Sequence, residues 1–285
     1  GTLVGEGEEI EDPHTKDKKP EPAKKQHTPS VGKPMPGVKK VIAVSSGKGG
    51  VGKSTVSTNL AISLKNQGYK VGLIDADVYG PSIPLLLGQP DAKPVANDNE
   101  KIEPIDAFGV KFMSFGLFIG ESEPVIWRGP MLNGVLNQFF FDVEWGELDY
   151  LIIDLPPGTG DVQLSMVQSI QVDGALVVCT PQDVALLDAK KGLQMFRELK
   201  TPILGMIENM SYFLADDSDK KYFIFGEGGV RQACMEMDTN MLGEIPLEIA
   251  LRESCDNGHP YMANNSYEGR GGWNAYVDIS KKIDS

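Results

Sequence analysis

The sequence predicts an α/β fold in which a mostly parallel sheet carries helices on both faces. Short continuous apolar runs, typical of strands buried on both sides, recur along the chain and alternate with helical stretches. Several of these runs end at a polar or acidic residue. In such sheets the functional side chains gather at the carboxyl ends of the strands. We therefore expect the functional site at that edge.

The strands follow one another in order along the chain. An apolar run at residues 41–44 predicts the first strand, and residues 54–66 predict a helix that Gly68 closes. The segment 97–115 has a spaced apolar pattern that indicates a hairpin inserted at one edge of the sheet. Further strands are predicted at residues 71–74 (ending at Asp75), 151–153 (ending at Asp154), 175–178 (ending at Thr180), 203–207 (ending at Glu208 and Asn209) and 242–245.

A glycine-rich loop lies between the first strand and the first helix. Residues 47–54 read GKGGVGKS, which is the G-x-x-x-x-G-K-[ST] phosphate-binding loop of P-loop NTPases. Glycines allow successive backbone N–H groups to cradle phosphate oxygens, and the positive end of the next helix faces the same anion. The loop predicts ATP binding by Gly47, Gly49, Gly50, Val51, Gly52, Lys53, Ser54 and Thr55.

Two lysines of this loop are predicted to be catalytic. Lys53 is placed to reach the β- and γ-phosphates, and the Ser54 hydroxyl is placed for Mg²⁺. The earlier Lys48 resembles the extra lysine in the deviant Walker A loop of dimeric ATPases that include MinD, ParA and the nitrogenase iron protein. That resemblance implies a homodimer in which Lys48 reaches the partner's nucleotide and neutralises transition-state charge, as an arginine finger does.

Three aspartates follow strands near this loop. Asp75 and Asp77 leave the second strand at alternate positions, so we interpret them as switch I rather than as capping acids. Asp75 is the predicted Mg²⁺ ligand of the pair, and Asp77 is predicted to orient or deprotonate the attacking water. Asp154 ends an apolar strand in the Walker B pattern, so that the predicted metal set is Ser54, Asp75 and Asp154. The loop 156–161, PPGTGD, is predicted to be switch II.

Two residues further along are candidates for the nucleotide base. Asn209 follows the fifth strand of the sheet, where its amide could donate to and accept from a purine edge or, alternatively, cap the chain locally. Pro246 follows a later strand and could pack on the opposite face of the base.

These residues together resemble the Mrp/ApbC iron–sulfur cluster carrier ATPases, relatives of the eukaryotic Nubp-type scaffolds. The resemblance extends from about residue 38 to about residue 280. It implies a cytoplasmic, homodimeric ATPase that holds a [4Fe–4S] cluster between its subunits and passes it to apo iron–sulfur client proteins. The matching stretches are residues 41–55, 74–82, 127–131, 145–161, 180–182, 208–212, 224–226 and 245–247.

The sequence departs from this family at two places. Many members carry a small N-terminal domain of the MIP18 type, and this chain has only a polar segment there, so we expect that domain's target-docking role to be missing. The family's C-x-x-C pair is replaced by residues 215–218, Ala-Asp-Asp-Ser. Two thiolates per subunit would complete the ligands of a [4Fe–4S] cluster across a dimer. We therefore expect that this chain does not hold a cluster in the usual manner.

The remaining cysteines offer an incomplete substitute. Cys179 lies within an apolar strand and is interpreted as a small buried hydrophobe. Cys234 and Cys255 are the more plausible alternative ligands, although 21 positions separate them.

Composition limits the remaining classes of function. The 285 residues are predicted to divide into a disordered polar tail or linker at 1–37 and one P-loop ATPase domain at 38–285. The formal net charge of −13 argues against nucleic acid as a partner. No apolar run is long enough to predict a membrane span, and no signal peptide is indicated, so a cytoplasmic protein without a membrane partner is expected.

One alternative function stays open at the level of sequence. A MinD-like or ParA-like switch would use ATP to control dimerisation and would bind a protein partner without carrying a cluster. Membrane targeting of the MinD type requires a basic amphipathic C-terminal helix, and the end of this chain is short and only weakly basic. A metabolic kinase is disfavoured because Lys48 and the loop 156–161 belong to the dimeric switch class.

Overall fold

The fold was obtained as a computed structural model that describes residues 32–118, 129–215 and 220–284. The strands are β1 (Val38–Ser46), β2 (Val71–Asp75), β3 (Ile105–Ala107), β4 (Val110–Ser114), β5 (Leu148–Asp154), β6 (Gly174–Cys179), β7 (Ile203–Leu214) and β8 (Met241–Glu248). The helices are α1 (Lys53–Asn66), α2 (Ile83–Leu86), α3 (Gly129–Phe141), α4 (Asp161–Ser169), α5 (Asp183–Glu198), α6 (Gly229–Glu236), α7 (Ile249–Asp256) and α8 (Gly271–Asp284).

The strands form one sheet in the order β3-β4-β2-β5-β1-β6-β7-β8. All neighbouring pairs are parallel except β3 and β4. Strand β1 is central and lies between β5 and β6, so the loop that follows it emerges in the middle of the sheet's carboxyl edge. The predicted α/β fold is confirmed.

Two hydrophobic cores cover the two faces of the sheet, because alternate residues of each strand point to opposite faces. One core packs β-strand residues such as Ala43 and Val177 against helices α3, α4, α5 and α6. The other packs residues such as Val44 and Leu176 against α1, α7 and α8. Both faces are therefore apolar, which explains why the parallel strands read as unbroken apolar runs.

The structure corrects one predicted element and confirms another. The strand predicted to end at Glu208 and Asn209 was placed too short: β7 continues to Leu214 past an irregularity in its pairing with β8. Met210 has a positive φ of 54° at this irregularity, and the strand changes direction there without ending. The predicted edge hairpin is confirmed as β3–β4, and its two turn residues Phe108 and Gly109 both have positive φ.

Residues 32–37, which the composition assigned to the polar tail, pack on the domain. Met35 is buried in the core beside α4. The backbone of Lys33 bonds to the C-terminal end of α4 and to the segment that follows it, donating to the Ser169 carbonyl and accepting from the Gln171 N–H. Residues before position 38 therefore contribute contacts to the domain, and the division of the chain at residue 37 stays a prediction. The rest of the predicted tail, residues 1–31, lies outside the described residues.

The C-terminal helix α8 closes the second core. Its buried side chains include Trp273, Tyr276, Ile279 and Ile283, and Ser280 bonds to Ser63 of α1 at 2.9 Å. The apolar face of α8 is thus used for packing within the domain, which disfavours a MinD-like membrane anchor at this helix. Among the described helices, none is both long enough and apolar enough to cross a membrane.

Candidate functional site

The parallel register brings the predicted acidic residues together at the carboxyl edge of the sheet. Asp75 at the end of β2 pairs in register with Asp154 at the end of β5, and Asp154 pairs with Val44 of β1. Strand β1 continues for only two residues before the phosphate-binding loop begins at Gly47. Residues that are about a hundred positions apart in the chain therefore converge beside one loop.

The loop has the backbone conformation that its glycines predict. Gly52 adopts a left-handed φ of +81°, and a Cβ there would lie 2.3 Å from the side-chain nitrogen of Asn209. A Cβ on Gly47 would lie 2.2 Å from the backbone of Asp188 in α5. Helix α1 begins directly after Gly52 with no side-chain cap and no acidic residue in its first turn. Its first N–H groups are therefore available to an anion.

Lys53, Ser54 and Asp154 form a buried cluster at the start of α1. The Lys53 ammonium lies 2.8 Å from Asp154 Oδ2, and the two side chains are 6% and 0% exposed. The Ser54 hydroxyl donates to the same oxygen at 2.6 Å. Ser57, which the sequence analysis did not identify, donates to Asp154 Oδ1 at 2.7 Å. Its position one turn after Ser54 was the signal that could have found it, because residues three apart share a helix face.

Asp75 lies at the bottom of the same cluster and is fully buried. Its carboxylate accepts hydrogen bonds from the Ile83 N–H and the Ser114 hydroxyl, both at 3.0 Å. Burial raises the pKa of Asp75 to about 7, and the nearby Asp154 carboxylate acts in the same direction.

The donor set fits Mg²⁺. Two neighbouring carboxylates and a serine hydroxyl are hard oxygen ligands, and a cation would relieve the repulsion between Asp75 and Asp154. In the described ranges there is no cluster of three or more His, Cys, Asp and Glu side chains that could hold a metal. The usual Mg²⁺ site of nucleotide enzymes uses one or two carboxylates together with the substrate phosphates.

A cleft of about 320 Å³ opens above the loop. Lys48, Asp77 and Pro157 line it together with residues 49–55, so the structure brings both predicted switches to the predicted loop. Asp77 is only 8% exposed, and its Oδ1 accepts the N–H groups of Tyr79 and Gly80, both at 3.1 Å. These bonds fix the carboxylate at the wall of the cleft.

The contacts that position Lys48 are made by its backbone and not by its ammonium group. The Ser46 hydroxyl donates to the Lys48 carbonyl at 2.9 Å. Within the parts of the chain that the structure describes, the Lys48 ammonium has no hydrogen bond or ion pair, although the side chain lines the cleft. The positive charge is therefore presented at the mouth of the site.

The loop predicted to be switch II runs directly alongside β1. The Leu155 N–H donates to the Val44 carbonyl at 2.9 Å, and the Gly158 N–H donates to the Ser46 carbonyl at 2.8 Å. Gly158 has a φ of +91°, which only glycine adopts at low cost. The predicted loop 156–161 thus connects β5 to α4 while contacting the strand that carries the phosphate-binding loop.

Asn209 and Pro246 are both buried, and neither lines the cleft described above. The Asn209 amide donates to the Val51 carbonyl at 2.8 Å and packs under Gly52. In this structure Asn209 therefore supports the phosphate-binding loop from below. Contact of either residue with a nucleotide base stays a prediction.

The cysteine positions bear on cluster binding. Ala215 is described and has no ligating atom, whereas residues 216–219, which include Ser218, lie outside the described residues. Residues 127 and 128 of the predicted family stretch 127–131 lie outside them as well. Cys179 is 1% exposed, as expected for a buried hydrophobe, and Cys234 is 4% exposed. Cys255 lies against the first turn of α1, with its Sγ 3.6 Å from Thr55 Oγ1.

Glu208 is a buried carboxyl group that the sequence analysis noted only as the end of a strand. It pairs in register with Cys179 on β6 and with Glu244 on β8, and it accepts the Val230 N–H at the start of α6. Burial raises the pKa of Glu208 to about 7, and Glu244 acts in the same direction, while the Val230 N–H and Arg231 oppose the shift.

Replacing Glu208 by glutamine is expected to change the pH dependence of stability. The folded chain keeps a proton that the unfolded chain loses between pH 4.5 and about 7, so the stability of the native protein decreases as pH rises through this window. Glu208→Gln removes this loss. We compare the free energy of unfolding of the variant with that of the native protein at each pH, by urea unfolding. Between pH 5 and pH 8 this difference should shift in favour of the variant by on the order of 2 kcal/mol.

The exposed Glu227→Gln is the matched control and should show no such difference. If the stability of Glu208→Gln differs from that of the native protein by the same amount at pH 5 and at pH 8, the assignment of the raised pKa is wrong.

The family follows from comparison with known proteins. The family described as "ParA: NUBPL iron-transfer P-loop NTPase" matches residues 37–284. The chain belongs to this family. The resemblance drawn from the sequence motifs is thereby confirmed.

Similar curated proteins bear iron–sulfur names. An "Iron-sulfur cluster carrier protein" of Deinococcus radiodurans is 54% identical over 79% of this chain and 64% of its own length. A protein of the same name from Aquifex aeolicus is 50% identical over 82% of this chain and 64% of its own length. The chain thus spans just under two thirds of these relatives. The Arabidopsis thaliana "Iron-sulfur protein required for NADH dehydrogenase, mitochondrial" is 45% identical over 87% of this chain and 78% of its own length.

Solved structures of similar fold contain nucleotide. A nucleotide-binding protein from Archaeoglobus fulgidus in complex with ADP has a TM-score of 0.72 and 37% identity, over 84% of this chain and 92% of that one. The septum site-determining protein MinD of Pyrococcus horikoshii, complexed with Mg-ADP, has a TM-score of 0.64 and 25% identity, over 87% of this chain and 96% of that one. This NTPase therefore has the MinD-like fold that the deviant Walker A loop predicts.

Proposed function

We propose that this protein is a Mg²⁺-dependent ATPase that acts as a nucleotide-switched homodimer and delivers iron–sulfur clusters to apo-proteins. The observation that carries the proposal is the cleft in which the phosphate-binding loop, Lys48 and Asp77 meet above the Lys53–Asp154 pair. The carrier names of relatives at about 50% identity favour this function over a partner switch that carries no cluster. The cytoplasmic location stays a prediction.

Each group at the site has a role in hydrolysis. The backbone N–H groups of the loop and the start of α1 bind the phosphates, and Lys53 exchanges Asp154 for the β- and γ-phosphate oxygens. Asp77, fixed by two N–H groups at the wall of the cleft, orients the attacking water. Lys48 supplies positive charge to the partner's nucleotide.

Ser54, Asp154 and Asp75 are the residues that would hold Mg²⁺. The cation, when bound, neutralises charge that develops on the phosphate oxygens.

The cluster is the cargo of this proposal, and its attachment to this chain is weak. Ala215 contributes no ligand at a position where the family commonly has a cysteine. A serine hydroxyl, as at the second position, is a poor substitute for the thiolates that bind iron–sulfur clusters. The contact between cluster and protein is therefore transient.

The proposal is tested by two measurements on the purified protein. Phosphate release from ATP should require Mg²⁺ and stop when EDTA is added; no release under any condition would contradict the ATPase.

Anaerobic reconstitution with iron and sulfide, followed by desalting, should leave little iron on the native chain. Ala215→Cys combined with Ser218→Cys should retain clearly more, because four thiolates then meet in the dimer.

Ala215→Ser is the matched control for this experiment, because it adds an oxygen but no thiolate, and it should not increase retention. A stoichiometric, stable cluster in a variant that lacks Cys179, Cys234 and Cys255 would overturn this account of the ligands.

A further inference from the structure

A buried glutamine on α4 links switch II to the central strand. Gln163 is the third residue of α4 and is 1% exposed. Its side-chain nitrogen donates to the Ser45 hydroxyl at 2.5 Å, and Ser45 is fully buried in β1. The helix that follows switch II is thereby bonded to the strand that carries the phosphate-binding loop, two residues before Gly47.

The same end of β1 also holds the switch II loop and Lys48. The carbonyl of Ser46 accepts the Gly158 N–H at 2.8 Å, and its hydroxyl donates to the Lys48 carbonyl at 2.9 Å. The adjacent residues Ser45 and Ser46 of β1 are thus bonded to helix α4, to the switch II loop and to the backbone of Lys48. A displacement of the loop or of α4 is transmitted to this point.

The amide of Gln163 is only half satisfied. Its Oε1 atom is buried and has no hydrogen-bond partner among the described residues. Exchanging the oxygen and nitrogen of the amide would leave the nitrogen unpaired instead, so one polar atom stays without a partner in either orientation. A buried polar atom without a partner is costly, and apolar residues of similar shape avoid this cost. Packing alone therefore does not explain a glutamine at this position.

The loop beside Gln163 has room to move. Cβ atoms added at Gly158 and Gly160 would meet no described atom within 4 Å. Gly160 is also the residue that precedes α4, so a rotation there changes the position of the helix and of Gln163.

We propose that Gln163 is a positioning residue that couples the state of switch II to the end of β1 and hence to Lys48. This inference rests on the proposed ATPase function. When the γ-phosphate draws the switch II loop toward the cleft, α4 moves with it, and the Gln163–Ser45 bond carries that movement to the strand that leads into Lys48. Gln163 itself touches neither the nucleotide nor the attacking water.

The test compares nucleotide affinity with the response of α4. Gln163→Leu keeps the volume of the side chain and removes both polar atoms, and the exposed Gln168→Leu on the same helix is the matched control. Hydrogen exchange of peptides from α4 is measured with ADP and with a non-hydrolysable ATP analogue. Affinity for both nucleotides is measured by calorimetry, and kcat and KM are measured by phosphate release.

The native protein and Gln168→Leu should show different exchange in α4 with the two nucleotides. Gln163→Leu should lose this difference and about 10-fold in kcat, while KM and both affinities stay within about 3-fold of the native values. Ser45→Ala, which removes the bond but keeps the glutamine, should give the same losses and serves as the second variant if Gln163→Leu does not fold.

An unaltered exchange difference in the Gln163 variant, or equal exchange with both nucleotides in the native protein, would overturn the coupling. Absence of phosphate release from the native protein would instead contradict the ATPase, and the exchange measurement would still decide the coupling.

Discussion

Replacing Lys53 by alanine is expected to lower the affinity for ATP and ADP by about 100-fold or more, which corresponds to about 2.7 kcal/mol. Lys53 is the only cation paired with Asp154 among the described residues, and it is the side chain placed to reach the phosphates. Its loss removes a charge-assisted contact and leaves the buried Asp154 carboxylate facing the nucleotide with only serine donors. Repulsion between this carboxylate and the phosphates adds to the lost attraction.

The measurement is isothermal calorimetry with Mg-ATP and with Mg-ADP. Lys65→Ala is the matched control, because Lys65 lies in the last turn of the same helix, far from the phosphate end. Thermal unfolding of both variants shows whether the change at Lys53 reaches beyond the site, since a buried carboxylate without its cation destabilises the fold. Unchanged affinity in a folded Lys53 variant would refute the assignment of the site.

Replacing Lys48 by alanine is expected to reduce kcat by about 100-fold or more while nucleotide affinity changes by less than about 3-fold. Lys48 lines the cleft, and its ammonium makes no bond to the described residues. We propose that this charge acts on the nucleotide of the partner subunit. Such a contact forms chiefly in the closed arrangement that precedes hydrolysis, so it stabilises the transition state rather than the bound ground state.

Mixed dimers distinguish action across the interface from action within one subunit. Lys48→Ala and Asp77→Asn subunits should each be inactive alone. If Lys48 acts on the partner, a mixed dimer has one complete site, in which the Lys48→Ala subunit supplies Asp77 and the other subunit supplies the lysine. Activity should therefore reappear on mixing.

The control for this experiment mixes Lys48→Ala subunits with subunits that carry both substitutions. No mixed dimer then has a lysine at position 48, and no activity should return. Failure of the first mixture to regain activity, although mixed dimers form, would show that Lys48 acts within its own subunit.

The phosphate-binding loop and its surroundings were predictable because their determinants are contiguous in the chain. A strand, a glycine loop and a helix follow one another within residues 38–66, and the positive φ of Gly52 is a local property of the backbone. Strand ends could also be read, because apolar runs that are buried on both faces stop where polar residues begin. The acids Asp75 and Asp154 were found in this way.

Which side chains meet across strands was decided by the tertiary structure. Glu208 and Asn209 are neighbours in sequence and were predicted to end one strand, yet successive residues of a strand point to opposite faces. Glu208 therefore reaches Cys179 and α6, whereas Asn209 supports Val51 and Gly52 in the phosphate-binding loop. No pattern within β7 specifies these partners, because they are contributed by segments more than 20 residues away that only the sheet brings together.

Sequence alone was sufficient to establish the fold class, the nucleotide loop and the missing cysteine at position 215, since each depends on residue types at fixed local spacing. The contacts of Asp154 with Ser57 and of Gln163 with Ser45 join residues about a hundred positions apart. Such contacts depend on register, on helix orientation and on distances of about 3 Å, which arise only when the strands pair and the helices pack on them. Burial then changes the chemistry of these groups, as it does for Asp75 and Glu208, whose raised pKa values reflect the removal of water from around their carboxyl groups.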